Sequence, residues 1–228
     1  MDSIAQRFGR TLVIAPHPDD EVLGAGGLIA RLADAGQDTF VAVITKGQPP
    51  AFTEASVAAV RDEARAAHAI LGVTETLWLD QPAAELSEVP HMQLNAAIGE
   101  TVRTIRPDTL VLPFLGDIHL DHQLIFNSAM VAARPRQADY PRQVLAYECL
   151  SETNWNAPYL TPGFLPNVFV DISATLERKL EAMQAFKSQL QPAPNERSLE
   201  ALRALAILRG ATIHRAAAEA FVNIRQVS

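Results

Sequence analysis

The chain has 228 residues, 48% of them apolar and 20% charged, a composition that suits a globular protein and excludes a disordered one. Acidic residues outnumber basic ones, 26 to 19, for a net charge of −7. A nucleic-acid or anionic-membrane surface wants clustered Lys and Arg, so no nucleic-acid partner is expected.

The elements alternate strand and helix. Thr11–Ala15 is β-branched and apolar and reads as a first strand. A helix from about Gly24 to Ala35 follows, closed by Gly36. Thr39–Thr45 is a second strand. Glu54–Leu71, rich in Ala, Arg and Glu and ending at Gly72, is a helix. Thr76–Leu79 is a short third strand. Met92–Ile105 is a helix halted by Arg106-Pro107-Asp108. Thr109–Pro113 is a fourth strand, followed by a helix from about Gln123 to Ala133. Val144–Glu148 reads as a fifth strand and Ser151–Pro166 as an irregular loop. Ser173–Leu190 reads as a helix, Gln191–Asn195 as a Pro-rich break and Leu199–Leu208 as a last helix.

Apolar strands alternating with helices imply a mostly parallel sheet covered on both faces. The expected fold is therefore α/β, a Rossmann-like doubly wound sheet in a single domain spanning residues 1–228. A strand order of 3-2-1-4 would make strands one and four neighbours at the topological switch point, where such sheets bind ligands. No apolar run approaches the roughly 18 residues of a membrane span. The N-terminus, Met-Asp-Ser-Ile-Ala-Gln-Arg, lacks the layout of a signal peptide. A single cysteine, Cys149, excludes an internal disulfide and a cysteine-based zinc site. The expected home is the cytoplasm.

Directly after the first strand comes Ala15-Pro16-His17-Pro18-Asp19-Asp20-Glu21. Directly after the fourth comes Gly116-Asp117-Ile118-His119-Leu120-Asp121-His122. A catalytic zinc ion wants three N or O ligands and an open position for water. His17, one of Asp19 or Asp20, and His122 or His119 would supply such a set. The remaining aspartate of the pair is then placed to act as a general base. The other histidine would be an acid or oxyanion stabiliser, and Asp121 would orient an imidazole. The plainer reading makes Asp19 or Asp20 a helix N-cap and the histidines polar loop residues. That reading suits either segment alone better than both together.

The run from Ala15 to Glu21 with the distal His-x-x-His resembles the PIG-L/LmbE-like family of metal-dependent N-deacetylases. Arg61-Asp62-Glu63 through Leu71-Gly72, and Arg209-Gly210 followed by Ala218-Glu219-Ala220-Phe221, resemble further segments of that family. The resemblance implies one Zn2+ per chain held by His17, Asp20 and His122, with Asp19 as general base. It implies that His119 stabilises the oxyanion or protonates the leaving amine, with Asp121 as its partner. Arg61 and Asp80 match positions that contact substrate in relatives. The implied partner is a small N-acetylated, sugar-like molecule, and relatives often assemble into homo-oligomers, trimers or hexamers. The implied reaction is removal of an N-acetyl group. The alternatives are a non-catalytic metal-binding protein of the same fold and an amidase for a bulkier conjugate. His214 departs from the pattern, standing where many members have Gly, which puts the local backbone in question.

Among weaker signals, Gly24-Ala25-Gly26-Gly27 opens a helix after a strand but lacks dinucleotide-binding spacing, so it reads as close packing. Trp155 and Tyr159 are candidates for an apolar wall against a sugar ring. His68 reads as a surface or packing residue, Cys149 as a buried one. The charged residues of Glu177–Glu181 read as a solvated helix face.

Overall fold

Five strands run parallel: β1 (Thr11–Ala15), β2 (Thr39–Lys46), β3 (Glu75–Pro82), β4 (Thr109–Pro113) and β5 (Gln143–Tyr147). Two more, β6 (Val168–Asp171) and β7 (Ala218–Gln226), complete a seven-stranded sheet in the order β3-β2-β1-β4-β5-β7-β6. Strand β7 is antiparallel to both of its neighbours. The structure is a computed structural model that describes residues 3–136 and 138–227; Met1 and Asp2, where the N-terminal reading begins, lie outside them. The helices are α1 (Ser3–Phe8), α2 (Asp20–Asp34), α3 (Glu54–Leu71), α4 (His91–Ile105), α5 (Leu120–Ala132), α6 (Leu176–Ala185) and α7 (Leu199–Thr212). No helix among the described residues is long and apolar enough to cross a membrane.

The α/β, mostly parallel architecture and the neighbouring of β1 and β4 are as the sequence predicts. Strand β1 is buried along its whole length because both sheet faces are covered. Val13 and Ala15 pack on one face with Leu28, Ile29, Met183 and Phe186, while Leu12 and Ile14 pack on the other with Leu94, Ile98 and Ile125. The period of two along a strand thus divides one core into two layers.

Local chemistry sets the helix ends. The Thr53 hydroxyl accepts the Ser56 N–H at 3.1 Å to start α3, and Gly72, at φ 81°, ends it. Gly36, at φ 70°, closes α2, its N–H donating to Ala33 and that of Gln37 to Leu32. Helix α2 starts at Asp20, four residues before the expected point, because the Asp19 carbonyl already accepts the N–H groups of Val22 and Leu23. Asp20 therefore opens the first helical turn, with Asp19 at the N-cap position just before it.

Three elements escape the sequence pattern. Helix α1 spans six residues and β6 four, too short for a periodicity to register. Strand β7 begins Ala-Glu-Ala-Phe, a helix-favouring composition, and becomes a strand by pairing between β5 and β6. His214 adopts φ 57°, the left-handed conformation that glycine takes without strain. The histidine thus keeps the turn in which glycine was expected.

Lys179 corrects the reading of Glu177–Glu181 as a solvated face: it is 4% exposed. Its ammonium donates to Glu219 Oε1 at 2.6 Å and to the Leu23 carbonyl at 2.9 Å. Glu219 in turn accepts the N–H groups of Gly27 and Leu28, at 2.8 and 2.7 Å. The pair thus grips the interior of α2 from α6 and β7. Such an approach needs small residues: a Cβ at Gly24 would lie 2.1 Å from the Tyr147 ring, and one at Gly27 would lie 2.7 Å from Ile172. The glycines serve packing, as predicted.

Replacing Glu219 with Ala leaves a buried ammonium and two helix amides without their acceptor. The expected loss is about 3–5 kcal/mol of folding stability, measured by denaturant titration. A loss under about 1 kcal/mol would show that the pair does not hold α2.

Candidate active site

His17, Asp19 and Asp20 leave the carboxyl end of β1, and Asp117 to His122 leave that of β4. The 3-2-1-4 order makes those ends adjacent. Asp19 has φ 121° and ψ −28°, a conformation that non-glycine residues rarely hold. Its N–H donates to Glu21 Oε2 at 3.2 Å. The fully buried Glu21 also accepts His68 Nε2–H at 2.9 Å, and His68 Nδ1 lies 2.7 Å from the Thr76 hydroxyl on β3. His68 is therefore a buried, paired histidine. The backbone turn at Asp19 sends the neighbouring carboxylates to different partners.

The Asp20 carboxylate is the hub. Its Oδ2 accepts the His17 N–H at 2.8 Å and lies 3.2 Å from His17 Nδ1 and 3.3 Å from His122 Nε2. Its Oδ1 accepts from the buried Cys149 thiol at 3.2 Å. The far nitrogen of each imidazole meets a further carboxylate: His17 Nε2 is 3.1 Å from Asp121 Oδ2, and His122 Nδ1 is 2.8 Å from Asp117 Oδ2. Thr153 holds the other Asp117 oxygen at 2.5 Å, and the Ala84 N–H holds Asp121 at 2.7 Å. The Asp121 carboxylate thus lies on His17. What His119 Nδ1 receives, at 3.1 Å, is the Asp121 backbone N–H. The carboxylate is drawn away from His119 because His17 and the Ala84 amide both bind it.

His17, Asp20 and His122 bring one ligand atom each within 4.8 Å of one another, compatible with a metal ion. His122 Nε2 is completely buried and has no hydrogen-bond partner, although it points at Asp20. An orphaned imidazole nitrogen facing a carboxylate fits a cation between them. A second group, His17 with His119 and Asp121, is also close enough. It would need the His17 nitrogen already opposite Asp121. In the first group both imidazoles have an outer carboxylate to donate to, the usual support of a metal-binding histidine.

Charge tells the same story. Burial alone would lower the pKa of His17 and His122. Hydrogen bonds that His17 donates to Asp121 and Asp20 overcome it for that ring, and the charge of Asp20 and the hydrogen bond donated to Asp117 overcome it for His122, raising them to about 9 and about 10. Burial opposes ionisation of Asp20, but the two histidines hold its carboxyl well below the usual range. Protons thus stand where a cation would stand. Burial pushes the Asp19 carboxyl well above the usual range against the pull of Arg197, with Asp20 and Glu21 adding to the rise. His119 is lowered by burial and then by His17, which favours its neutral ring.

A cavity of about 520 Å³ opens over His17, Asp19 and His119. Its walls come from Thr45, Lys46 and Phe52, from Val57, Val60 and Arg61 on α3, and from Ala84, Gln189 and Arg197. Arg61 reaches this cavity, pairs with Asp80, and lies with its guanidinium 4.8 Å from the Trp78 ring centre. Asp80 does not line the cavity. Nor do Trp155 and Tyr159, which are exposed. Two residues escape the sequence reading. Asp117 was open to view, since each metal-binding histidine wants a carboxylate behind it and two aspartates flank His119. Arg197, which donates to Asp19 at 2.8 Å across 178 positions, had no local signal.

Comparison with known proteins identifies the family. The sequence profile of PIG-L, described as GlcNAc-PI de-N-acetylase, matches residues 12–133, more than half of the chain. The chain belongs to the PIG-L family. Diacetylchitobiose deacetylase of Thermococcus kodakarensis is 31% identical over 79% of this chain and 70% of its own length. The 2'-N-acetylparomamine deacetylase of Streptomyces fradiae is 25% identical over 80% of this chain and 74% of its own. The crystal structure of a conserved protein from Thermus thermophilus superposes with a TM-score of 0.78 at 26% identity, covering 96% of each chain. These PIG-L relatives include deacetylases named for amino-sugar substrates.

If the cluster of His17, Asp20 and His122 in this PIG-L protein takes up a metal ion, Asp117→Asn should keep the fold but weaken affinity for added zinc roughly 10- to 100-fold, because the His122 ring loses its anionic support. His122→Ala should lose stoichiometric metal altogether. Chelator competition and metal analysis by mass spectrometry measure both. Full zinc occupancy in His122→Ala would remove it from the ligand set.

Proposed function

We propose that this protein is a zinc-dependent hydrolase that removes the N-acetyl group from an amino sugar or a related small N-acetylated molecule. The observation carrying the reading is the orphaned His122 nitrogen facing Asp20, beside a His17 that itself lines a cavity together with Asp19 and His119. His17, Asp20 and His122 hold the ion. When bound, zinc would act as a Lewis acid on the carbonyl and make an attacking water more acidic.

The chain's own groups divide the remaining work. Asp19 takes a proton from water as the oxygen attacks the amide carbonyl, then passes it to the nitrogen of the departing amine. Burial, which makes the Asp19 carboxyl basic, favours the first transfer. His119 faces the developing oxyanion. Its Nδ1 accepts a backbone N–H, so a neutral ring must carry its proton on Nε2 and offer it as a donor. Asp121 orients His17. Cys149 occupies Asp20 Oδ1 and leaves Oδ2 to face the imidazoles.

At the rim, Arg61 offers donors to substrate hydroxyls, and Asp80 together with the Trp78 face holds the guanidinium in place. A bulkier amide conjugate is a second reading, favoured by the apolar stretch of wall formed by Phe52, Val57 and Val60. A panel of N-acetylated sugars and longer N-acyl sugars, assayed for the released acid, separates the two.

Asp19→Asn keeps shape but loses the basic oxygen, so zinc should stay while kcat falls roughly 10²–10⁴-fold. Asp20→Asn should instead weaken zinc binding, with activity partly returning in excess metal. Zinc content and kcat measured on both variants decide the matter: metal lost from the first and kept by the second would reverse the roles. For Arg61→Ala, KM should rise roughly tenfold as a charged hydrogen bond to substrate is lost. An unchanged KM would reduce Arg61 to a surface ion pair.

A further inference from the structure

We propose that Arg197 is a positioning residue for Asp19, delivered into the site by the segment between α6 and α7; this rests on the reading of Asp19 as the base. The backbone at Arg197 is fixed first. Its N–H donates to the Asn195 side chain at 2.8 Å, its carbonyl accepts the Gln191 N–H at 3.2 Å, and Ser198 caps α7 immediately after it.

The side chain is then pinned along its whole head. Nε donates to the Ser151 hydroxyl at 2.9 Å, and Nη1 donates to Gln189 at 3.2 Å and to Asp19 Oδ2 at 2.8 Å. Nη2 lies 3.7 Å from Glu152. The guanidinium cannot follow Asp19; Asp19 must follow it. The positive φ at Asp19 fixes the direction of its Cβ but not its side-chain rotamer. Among the described residues, Arg197 is the side chain that donates to this carboxylate. Without it the carboxylate is released to other staggered rotamers. A misplacement of about 1 Å costs on the order of 10²-fold in rate.

Simple neutralisation of a buried carboxylate makes a different prediction. Lysine keeps the charge but, as a point donor on a flexible stem, cannot hold Ser151, Gln189 and Asp19 in one plane. Positioning therefore requires Arg197→Lys to be impaired nearly as much as Arg197→Gln, whereas neutralisation spares it.

The experiment uses the zinc-loaded full chain and acetate release from diacetylchitobiose, with zinc content recorded for every variant. Arg197→Gln and Arg197→Lys should each lower kcat by roughly 10- to 100-fold, with KM little changed and zinc retained. In the Asp19→Asn background, Arg197→Gln should cost nothing further, because the two residues act as a unit. Wild-type kcat in Arg197→Gln, a spared Arg197→Lys, or an equal loss in both backgrounds would overturn the proposal. Full activity in Asp19→Asn alone would instead remove Asp19 as the base. A crystal structure of zinc-loaded Arg197→Gln gives an answer independent of turnover: an Asp19 carboxylate in an altered rotamer supports positioning, and one left in place overturns it.

Discussion

Two aspartates adjacent in sequence meet different partners, Asp19 the Arg197 guanidinium and Asp20 the imidazoles of His17 and His122, and the turn between them has to keep the two apart. The residue that solves this is Asp19, whose φ of 121° turns the chain between the end of β1 and the first turn of α2. A non-glycine residue in this region costs of the order of 1–3 kcal/mol, so something must hold it. Glu21 holds the N–H, the amides of Val22 and Leu23 hold the carbonyl, and Arg197 holds the carboxylate. His68 and Thr76 continue the support of Glu21 as far as β3. Chemistry at the end of one strand thus draws on the neighbours two strands away.

The same turn concentrates negative charge. Asp19, Asp20, Glu21, Asp117 and Asp121 are all buried around two imidazoles. Like charges in a low-dielectric site must lose ionisation or find a cation. The carboxyls respond differently: Asp19 and Asp117 are pushed up by burial, while Asp20 is held down by His122 and His17. Two imidazoles raised to about 9 and about 10 supply the positive charge in the absence of metal. A divalent ion would replace those protons, so metal binding here is a competition with protonation. The orphaned His122 nitrogen marks the point of exchange.

The parallel half of the fold was legible because its signals are local. Apolar β-branched runs, a glycine closing each of α2 and α3, and chemistry following the first and fourth strands required no long-range information. Helix α3 and strand β4 even carry the expected boundaries. The later half was less legible because its structure is set by partners. Strand β7 has a helical composition and obeys its neighbours on the sheet; Lys179 sits in a charged helical run and is buried because Glu219 waits opposite. At the site, ligand types were visible in the motifs, but which carboxylate meets which imidazole was not. The motif left open which imidazole Asp121 would orient and the family resemblance implied His119, whereas its carboxylate lies on His17.

These illegible parts all bear on one helix and its leading turn. Glu219 on β7 and Lys179 on α6 grip the middle of α2, and Arg197, just ahead of α7, grips the residue before its first turn. Strands β1 and β4 would bring the histidines and aspartates together without any of them. Apolar packing of Val22, Leu28, Ile29 and Leu32 holds α2 against the sheet, and the polar grip of Glu219 and Lys179 adds directional contacts that such packing lacks. The antiparallel extension is therefore more than an edge to the sheet. It holds the helix whose N-terminal turn carries Asp20 between the two imidazoles and, one residue earlier, Asp19 at the cavity wall.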